Sequence, residues 1–216
     1  DVVVRIVLDG SSSMGLGSPS QASHGASLAA GIAYLALEGG ERAQSFTLRE
    51  GQVGPGAAGR GRGGFGRIAR SLGLLEARGG GSLGAALEEA LPRWPRPGAL
   101  VVVSDFLEPP ESLQGALRRA AFAGHDVRLL QVLAPEDLAP SLEGDLRLED
   151  CESGVAVELT LDGPTRAAYH RHLVALCNTL ATAARRAGGS YTRTTPTEPR
   201  GAALRRVAGR LVDAPP

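Results

Sequence analysis

The sequence has no lysine, one methionine and two cysteines among its 216 residues, and these shortages restrict what the chain can be. Two cysteines, Cys151 and Cys177, are too few for a disulfide scaffold and fit a reducing compartment. No apolar run approaches the roughly 20 residues that a membrane-spanning helix needs, and no secretory signal is visible. We therefore expect a cytoplasmic protein without a membrane span.

The single methionine, Met14, lies inside the chain, which begins at Asp1. Because a natural initiator is missing, we expect the chain to be a fragment that lacks an upstream N-terminal region. Attachment to a membrane through that upstream region stays open as an alternative location.

Acidic and basic residues balance, with 23 of each, and every basic residue is an arginine. The balance excludes an acidic disordered tail and an evenly basic nucleic-acid binder. With 43% apolar residues, the chain can bury a sizeable core. Its length fits one domain over residues 1–216, and we expect no nucleic-acid partner.

Segments typical of buried strands alternate with segments typical of helices. The β-branched runs at 2–8 and 99–104 are typical of parallel strands buried on both faces. The other predicted strands are 127–132, 155–161 and 191–194, with a short hairpin over 45–53. The predicted helices after the first are 68–77, 83–91, 111–123, 165–186 and 201–211. This alternation predicts a mostly parallel, three-layer α/β sheet.

Predictions for three further regions complete the outline. The first helix is expected to begin near Ser18, with Leu28, Ile32 and Leu35 on its apolar face. The glycine-rich stretch 54–66 is expected to have no regular structure, and residues 136–163 are expected to be irregular apart from the strand at 155–161.

Polar side chains follow both of the strongest strands. Asp9, Ser11 and Ser13 come directly after the first strand, and Asp105 follows the second. In open α/β sheets, ligands bind beyond the C-terminal ends of the strands, and alternate residues of an extended segment project to one side. Ser82, at a predicted helix start, adds a third hydroxyl. We expect these five side chains to converge.

Oxygen donors without histidine or cysteine suit a hard cation such as Mg²⁺, with Mn²⁺ and Ca²⁺ as alternatives. Two acids and three neutral hydroxyls leave a divalent ion poorly neutralised. Such a site favours a further anionic ligand, so we expect a protein partner that supplies an Asp or Glu side chain to the metal.

The segment Asp9-Gly10-Ser11-Ser12-Ser13 resembles the Asp-x-Ser-x-Ser metal-ion-dependent adhesion site of von Willebrand factor type A domains. Ser82 lies where that family has a threonine, and Asp105 lies where it has its distal aspartate. The resemblance looks closest to the bacterial branch known as domain of unknown function fifty-eight. It rests on Ser104-Asp105-Phe106 and on Leu-Leu-Gln-Val-Leu-Ala-Pro-Glu at 129–136.

The resemblance implies a Rossmann-like three-layer sandwich whose mostly parallel sheet has one antiparallel edge strand. It implies a binding module, not an enzyme, in which Ser11, Ser13 and Ser82 contact the metal while Asp9 and Asp105 act mainly through bound waters. Members of this branch are commonly encoded beside MoxR-type AAA+ ATPases, which implies such an ATPase as partner in protein assembly or maturation. The loops expected to set partner choice are 14–20, 54–66 and 106–110.

A hydrolase is the alternative function, with Asp9 or the Ser11–Ser13 loop acting on a phosphate or acyl substrate. None of the three serines has glycine at both offsets of a nucleophile elbow. An aspartate-nucleophile phosphatase would have a second acid where this chain has Ser11. Both observations disfavour covalent catalysis.

The other motifs are interpreted as structural or solvent-exposed features without a functional role. Gly61-x-Gly63-x-x-Gly66 fits the dinucleotide fingerprint by letter but follows no convincing buried strand, and the surrounding arginine-glycine stretch 59–67 is interpreted as a solvated loop. His170 and His172 point to different faces of one helix, so they cannot chelate one metal together. Cys177 is expected to be a small buried hydrophobe, Cys151 a loop thiol, and Trp94 a cover for a core edge.

Overall fold

The computed structural model describes residues 2–208, and its strands and helices alternate along most of that range. The strands are β1 (Val3–Asp9), β2 (Arg42–Arg49), β3 (Gln52–Arg60), β4 (Ala99–Ser104), β5 (Asp126–Val132), β6 (Gly144–Glu149), β7 (Ala156–Leu161) and β8 (Ser190–Thr194). The helices are α1 (Gln21–Glu38), α2 (Phe65–Gly73), α3 (Leu83–Ala90), α4 (Pro110–Phe122), α5 (Pro135–Leu138), α6 (Gly163–Arg186) and α7 (Arg200–Ala208).

The central sheet has the order β3-β2-β1-β4-β5-β8 within the described residues. All neighbouring strands are parallel except β2 and β3, which form an antiparallel hairpin and leave β3 at one edge. The predicted fold class, a mostly parallel sheet with one antiparallel edge strand, is confirmed. β1 pairs with β2 on one side and β4 on the other, so it lies inside the sheet.

Helices cover both faces of this sheet, which gives three layers. On one face α1, α2 and α7 bury side chains such as Ile32, Leu72 and Val207. On the other face α3, α4 and α6 contribute a second apolar cluster that includes Leu87 and Leu117. Because β1 and β4 are covered on both sides, nearly every residue in them is buried, which explains their unbroken apolar sequence.

Helix α1 begins later than predicted. Ser20, not Ser18, is the N-cap, and its Oγ accepts a hydrogen bond from the Ser23 N–H at 3.2 Å. Leu28 and Ile32 are buried as predicted, but Leu35 is 40% exposed because alanines at neighbouring positions complete the buried face. The predicted last helix, 201–211, is present as α7, and its final residues lie outside the described part of the chain.

The expectation of no regular structure over 54–66 is wrong. Residues up to Arg60 belong to β3, and a turn at 62–64 leads into α2. The glycines permit close approach: a Cβ on Gly56 would lie 2.6 Å from Ser45 Oγ, and a Cβ on Gly59 would lie 2.8 Å from Gly64 Cα. The glycine-rich composition reflects tight backbone packing, not a solvated loop.

The segment expected to be irregular at 136–163 contains a second sheet. β7 matches the predicted strand at 155–161, and it pairs with the unpredicted β6 in an antiparallel hairpin separate from the main sheet. Most residues of both strands are exposed. Residues 145–149 of β6 read Asp-Leu-Arg-Leu-Glu, which alternates polar and apolar side chains, so the sequence held a strand signal that the prediction missed.

Candidate metal-binding site

The candidate site begins where β1 and β4 end side by side. These strands are parallel neighbours, with Leu8 opposite Val103, so Asp9 and Asp105 emerge at the same edge of the sheet. Ser104 links the two strand ends, because its hydroxyl donates to Asp9 Oδ2 at 2.6 Å and accepts from the Phe106 N–H at 3.0 Å. The two buried carboxylates are thereby held in neighbouring loops.

The loop after β1 turns back on Asp9. The Ser11 N–H donates to Asp9 Oδ1 at 2.9 Å, which is an Asx-type turn. The Ser11 and Ser13 hydroxyls lie 3.1 Å apart, but a helical turn brings them together and not the expected extended segment, since Ser12 has φ = −60° and ψ = −35°. Two backbone hydrogen bonds, from Ser12 N–H to Gly79 O and from Arg78 N–H to Gly10 O, tie this loop to the segment before α3.

Asp105 has one satisfied and one orphaned oxygen. Its Oδ1 accepts from the Leu107 N–H at 3.1 Å, whereas Oδ2 is buried without a hydrogen-bond partner among the described residues. Phe106 has φ = 51°, the left-handed region that non-glycine residues rarely adopt. Gln131 Nε2 donates to the Asp105 carbonyl at 2.7 Å, which anchors this turn to β5. A buried carboxylate oxygen without a partner is costly unless a cation or water meets it.

Ser82 lies beside these side chains but has a local role as well. It is the N-cap of α3, and its Oγ accepts from the Ala85 N–H at 3.2 Å. Its chain neighbours Gly81 and Leu83 line the cavity at the strand ends, whereas Ser82 itself is half-buried and is not one of the lining residues. The structure thus brings Asp9, Ser11, Ser13 and Asp105 to one cavity and places Ser82 at its margin.

The cavity has a volume of about 190 Å³, and its charged lining is entirely acidic. Besides Asp9 and Asp105, it includes Glu108, Asp150 and Glu152, which the sequence analysis missed. Glu108 follows Asp105 by three residues, and its Oε1 accepts from the Gly84 N–H at 3.2 Å. Within residues 2–208, no arginine or histidine lines the cavity. A cation would therefore meet an uncompensated negative field.

Burial raises the pKa of Asp9, although hydrogen bonds from Ser104 and Ser11 oppose the rise. Burial also raises the pKa of Asp105 to about 6, with the charge of Asp9 as the next cause. Each ionised carboxylate therefore disfavours the other. A divalent cation between them would relieve this repulsion.

The donor chemistry fits a hard divalent cation: carboxylate and hydroxyl oxygens converge, one buried carboxylate oxygen has no partner, and the lining has no positive charge. The described residues contain no group of three or more His, Cys, Asp or Glu side chains arranged to hold a metal ion. Any cation here would depend on serine hydroxyls and water as well as carboxylates.

The other singled-out residues lie away from this cavity. Gly61 follows β3 at the outer edge of the sheet, so its glycine pattern is remote from the strand ends that carry Asp9 and Asp105. His170 and His172 are exposed on α6, and Cys177 is buried, as predicted. Trp94 is buried at a core edge against the Phe46 ring, with centroids 4.8 Å apart.

Two of the three loops expected to set partner choice, 54–66 and 106–110, differ from that expectation. The first lies away from the cavity, and the second reaches it only in part. Residues 54–60 run away from the site as a strand, because β3 is antiparallel to β2. The rim is formed instead by residues 106–108 and 150–152, of which the latter belong to the turn of the β6–β7 hairpin. Cys151 is an exposed free thiol in that turn.

Comparison with solved structures identifies the fold. BatB from Bacteroides thetaiotaomicron has a TM-score of 0.65 at 17% identity, covering 98% of each chain. An aerotolerance-related membrane protein from Bacteroides fragilis has a TM-score of 0.63 at 18% identity, covering 99% of this chain and 100% of that one. The SpRpn10 VWA domain has a TM-score of 0.54 at 12% identity, covering 97% and 94%. The fold is therefore of the von Willebrand factor type A class.

The family described as "Protein of unknown function DUF58" matches residues 2–176, and the chain belongs to this family. Uncharacterized protein Mb1516 of Mycobacterium bovis and Uncharacterized protein Rv1480 of Mycobacterium tuberculosis are each 37% identical to it over 101 residues. That region is 44% of this chain and 31% of either relative, so the chain matches less than a third of their length. Within residues 2–208, no helix has both the length and the apolarity to cross a membrane.

Proposed function

We propose that this chain is a divalent-cation-dependent protein-binding module. The observation that carries the proposal is the orphaned Asp105 Oδ2, buried beside Asp9 in a cavity whose charged lining is wholly acidic. A buried unpaired carboxylate oxygen is costly, and a cation with its bound waters satisfies it without adding negative charge. Mg²⁺ is the proposed ion, with Mn²⁺ and Ca²⁺ as alternatives.

Ser11, Ser13 and Ser82 are the proposed direct ligands, while Asp9 and Asp105 act mainly through bound waters. Ser104 and the Leu107 N–H keep the two carboxylates in place. When bound, the cation supplies an electrophilic centre for a carboxylate oxygen of the partner. The protein supplies a preorganised cradle, because backbone hydrogen bonds to Gly79 and Arg78 fix the loop after β1 and the Gln131 side chain anchors the turn at Asp105.

The proposed partner is a protein that presents an Asp or Glu side chain, and a MoxR-type AAA+ ATPase is the partner that the family resemblance favours. On this proposal the chain acts in assembly or maturation of other proteins, in the cytoplasm. Binding would require both the cation and the partner's acid, which makes complex formation sensitive to chelation.

Calorimetric titration of Mn²⁺ and Mg²⁺ into the protein tests the cation. We expect saturable binding to wild type, and its loss in Asp9→Ala. Glu158→Gln, which removes an exposed acid on β7 away from the cavity, is the matched control and is expected to bind as wild type does. Absence of binding to wild type, or equal binding to wild type and Asp9→Ala, would contradict the proposal.

The hydrolase alternative has no histidine among the described residues that line the cavity to act as a base for Ser11 or Ser13. We expect no turnover of generic phosphate esters by wild type. Turnover that disappears in Asp9→Asn would favour the hydrolase over the binding module.

A further inference from the structure

The β6–β7 hairpin reaches the candidate site only through its turn. Asp150 fixes that turn, because its Oδ1 accepts from the Glu152 N–H at 2.8 Å and from the Ser153 N–H at 3.2 Å. The Asp150 N–H in turn donates to the Val155 carbonyl at 2.9 Å. The turn is therefore a defined structure, and it presents Glu152 to the cavity.

The Glu152 carboxylate rests against the glycine segment that precedes α3. A Cβ on Gly80 would lie 2.9 Å from Glu152 Cδ and in still closer contact with Oε2. The backbone N–H groups of Gly81 and Ser13 stabilise the ionised carboxylate, whereas desolvation and the charge of Asp9 oppose it; the net effect raises the pKa of Glu152. Glu152 thus brings a further carboxylate to the loops that carry Ser13 and Ser82.

The rest of the hairpin is weakly anchored. Most of its side chains are exposed, including Leu148, Val155 and Val157, which are 47%, 62% and 56% exposed. A two-stranded hairpin without a packed face is marginally stable in water, and segments with few buried apolar contacts open at low free-energy cost. The turn at 150–154 can therefore leave the cavity without unfolding the main sheet.

We propose that Glu152 is an intramolecular ligand, the carboxylate that the cation site takes when no partner is bound. This inference rests on the proposed function and specifies its regulation. The cavity is acidic, so two further carboxylates, Glu152 and the partner's acid, would repel each other there. They compete for one position, and the partner's acid binds after the hairpin turn has moved out.

Two substitutions separate the charge of Glu152 from its position. Glu152→Gln keeps the size of the side chain and removes its charge. Gly80→Ala keeps the acid but places a methyl group where the carboxylate lies, and Gly80 does not have the positive φ that would strain an alanine. Glu158→Gln on β7 is the control, since it removes an exposed acid of the same hairpin outside the cavity.

The readout is the number of waters on bound Mn²⁺, measured by water-proton relaxation on the full chain. We expect both variants to gain about one coordinated water and to bind Mn²⁺ about tenfold more weakly than wild type. Acetate, added as a probe carboxylate, is expected to lower the relaxation of the Mn²⁺-loaded variants. The same acetate concentration leaves Mn²⁺-loaded wild type and Glu158→Gln unchanged.

The outcomes distinguish the two claims. If wild type binds no Mn²⁺, the proposed function fails and this inference fails with it. If wild type binds Mn²⁺ but both variants match it in affinity, water count and response to acetate, the role of Glu152 is overturned while the cation-dependent module stands. Circular dichroism of each variant confirms that the comparison is made between folded proteins.

Discussion

Ser104 donates its hydroxyl hydrogen to Asp9 across the junction of two parallel strands, at 2.6 Å. This bond joins the last residue of β4 to the last residue of β1, and it satisfies one of two carboxylate oxygens that are buried there. Ser104 contributes to the site without contacting a ligand, because its hydrogen bond determines where the Asp9 carboxylate lies. The site is therefore supported by a residue that a motif centred on Asp9 does not contain.

Replacing Ser104 with alanine leaves Asp9 Oδ2 buried without its partner. We expect the free energy of unfolding to fall by about 1–3 kcal/mol, measured by urea denaturation, and the affinity for Mn²⁺ to fall as well. Ser27→Ala on α1, where the hydroxyl bonds only the Ser23 carbonyl near the surface, is the control and should change stability by less than about 0.5 kcal/mol. Equal effects of the two substitutions would contradict this role of Ser104.

The raised pKa of Asp105 makes its contribution to stability depend on pH. Its folded-state pKa is about 6 against an ordinary 3.8, so ionisation is disfavoured in the folded state. The stability that the protonated form gives is present below pH 3.8 and is lost as pH rises through about 6. Without metal, Asp105→Asn should therefore stabilise the protein more at pH 7.5 than at pH 5.

The difference in stability between wild type and Asp105→Asn at each pH cancels the pH dependence that other titratable groups contribute to both proteins. Burial lowers the pKa of His24 and of His125, and those residues oppose the trend as pH falls through their range. Thermal unfolding of wild type and Asp105→Asn at both pH values gives the double difference. A stabilising effect of asparagine that is as large at pH 5 as at pH 7.5 would show that Asp105 is not the cause.

Gly84 in α3 tests the packing of the helix that carries Ser82. A Cβ on Gly84 would overlap the Ser112 carbonyl, because α3 and α4 touch through their backbones at this point. Although alanine is the better helix former, Gly84→Ala should destabilise the protein by about 2 kcal/mol through overpacking. Gly66→Ala in α2, where nothing lies within 4 Å, should instead be neutral or slightly stabilising. Urea denaturation of both variants measures the contrast, and a stabilised Gly84→Ala would refute the close contact.

Arg5 is a charged residue buried inside the sheet without an acidic partner among the described residues. It is 5% exposed, and its guanidinium carbon lies 6.0 Å from the centre of the Trp94 ring. Its Nε and Nη1 have no hydrogen-bond partner within residues 2–208. Replacing such a charge with an apolar side chain of similar length removes the desolvation cost. Arg5→Met should raise the free energy of unfolding by about 1 kcal/mol or more, with the exposed Arg96→Met as control. A loss of stability would show that the favourable contact of Arg5 with Trp94 exceeds the cost of burying the Arg5 charge.

The fold, and the meeting of Asp9 with Asp105 at one edge of the sheet, could be predicted because they depend on local pattern. The apolar runs of β1 and β4 identify strands covered on both faces, and the ends of neighbouring parallel strands meet at one edge. Asp9 and Asp105 follow directly from that geometry. Ser82 could be predicted as a helix start, whereas its position relative to the cavity depends on how α3 packs.

The parts that the sequence did not predict depend on tertiary contact. β3 was not predicted because it is rich in glycine, which usually indicates a loop. Here glycine is needed because Gly59 and Gly64 approach each other closely. Glu152 is 143 residues from Asp9 along the chain, and no local pattern indicates that the hairpin turn lies over the site. Glu108 is closer in sequence, but its burial beside α3 follows from the packing of two helices.

Anomalous diffraction from crystals grown with Mn²⁺ tests the central claim most directly. The account predicts a single ordered peak at the strand ends, ligated by the hydroxyls of Ser11, Ser13 and Ser82 and, with no partner present, by the Glu152 carboxylate. Asp9 and Asp105 are expected to contact the ion through waters. A cavity without a peak at saturating Mn²⁺, or a peak held by other residues, would contradict it.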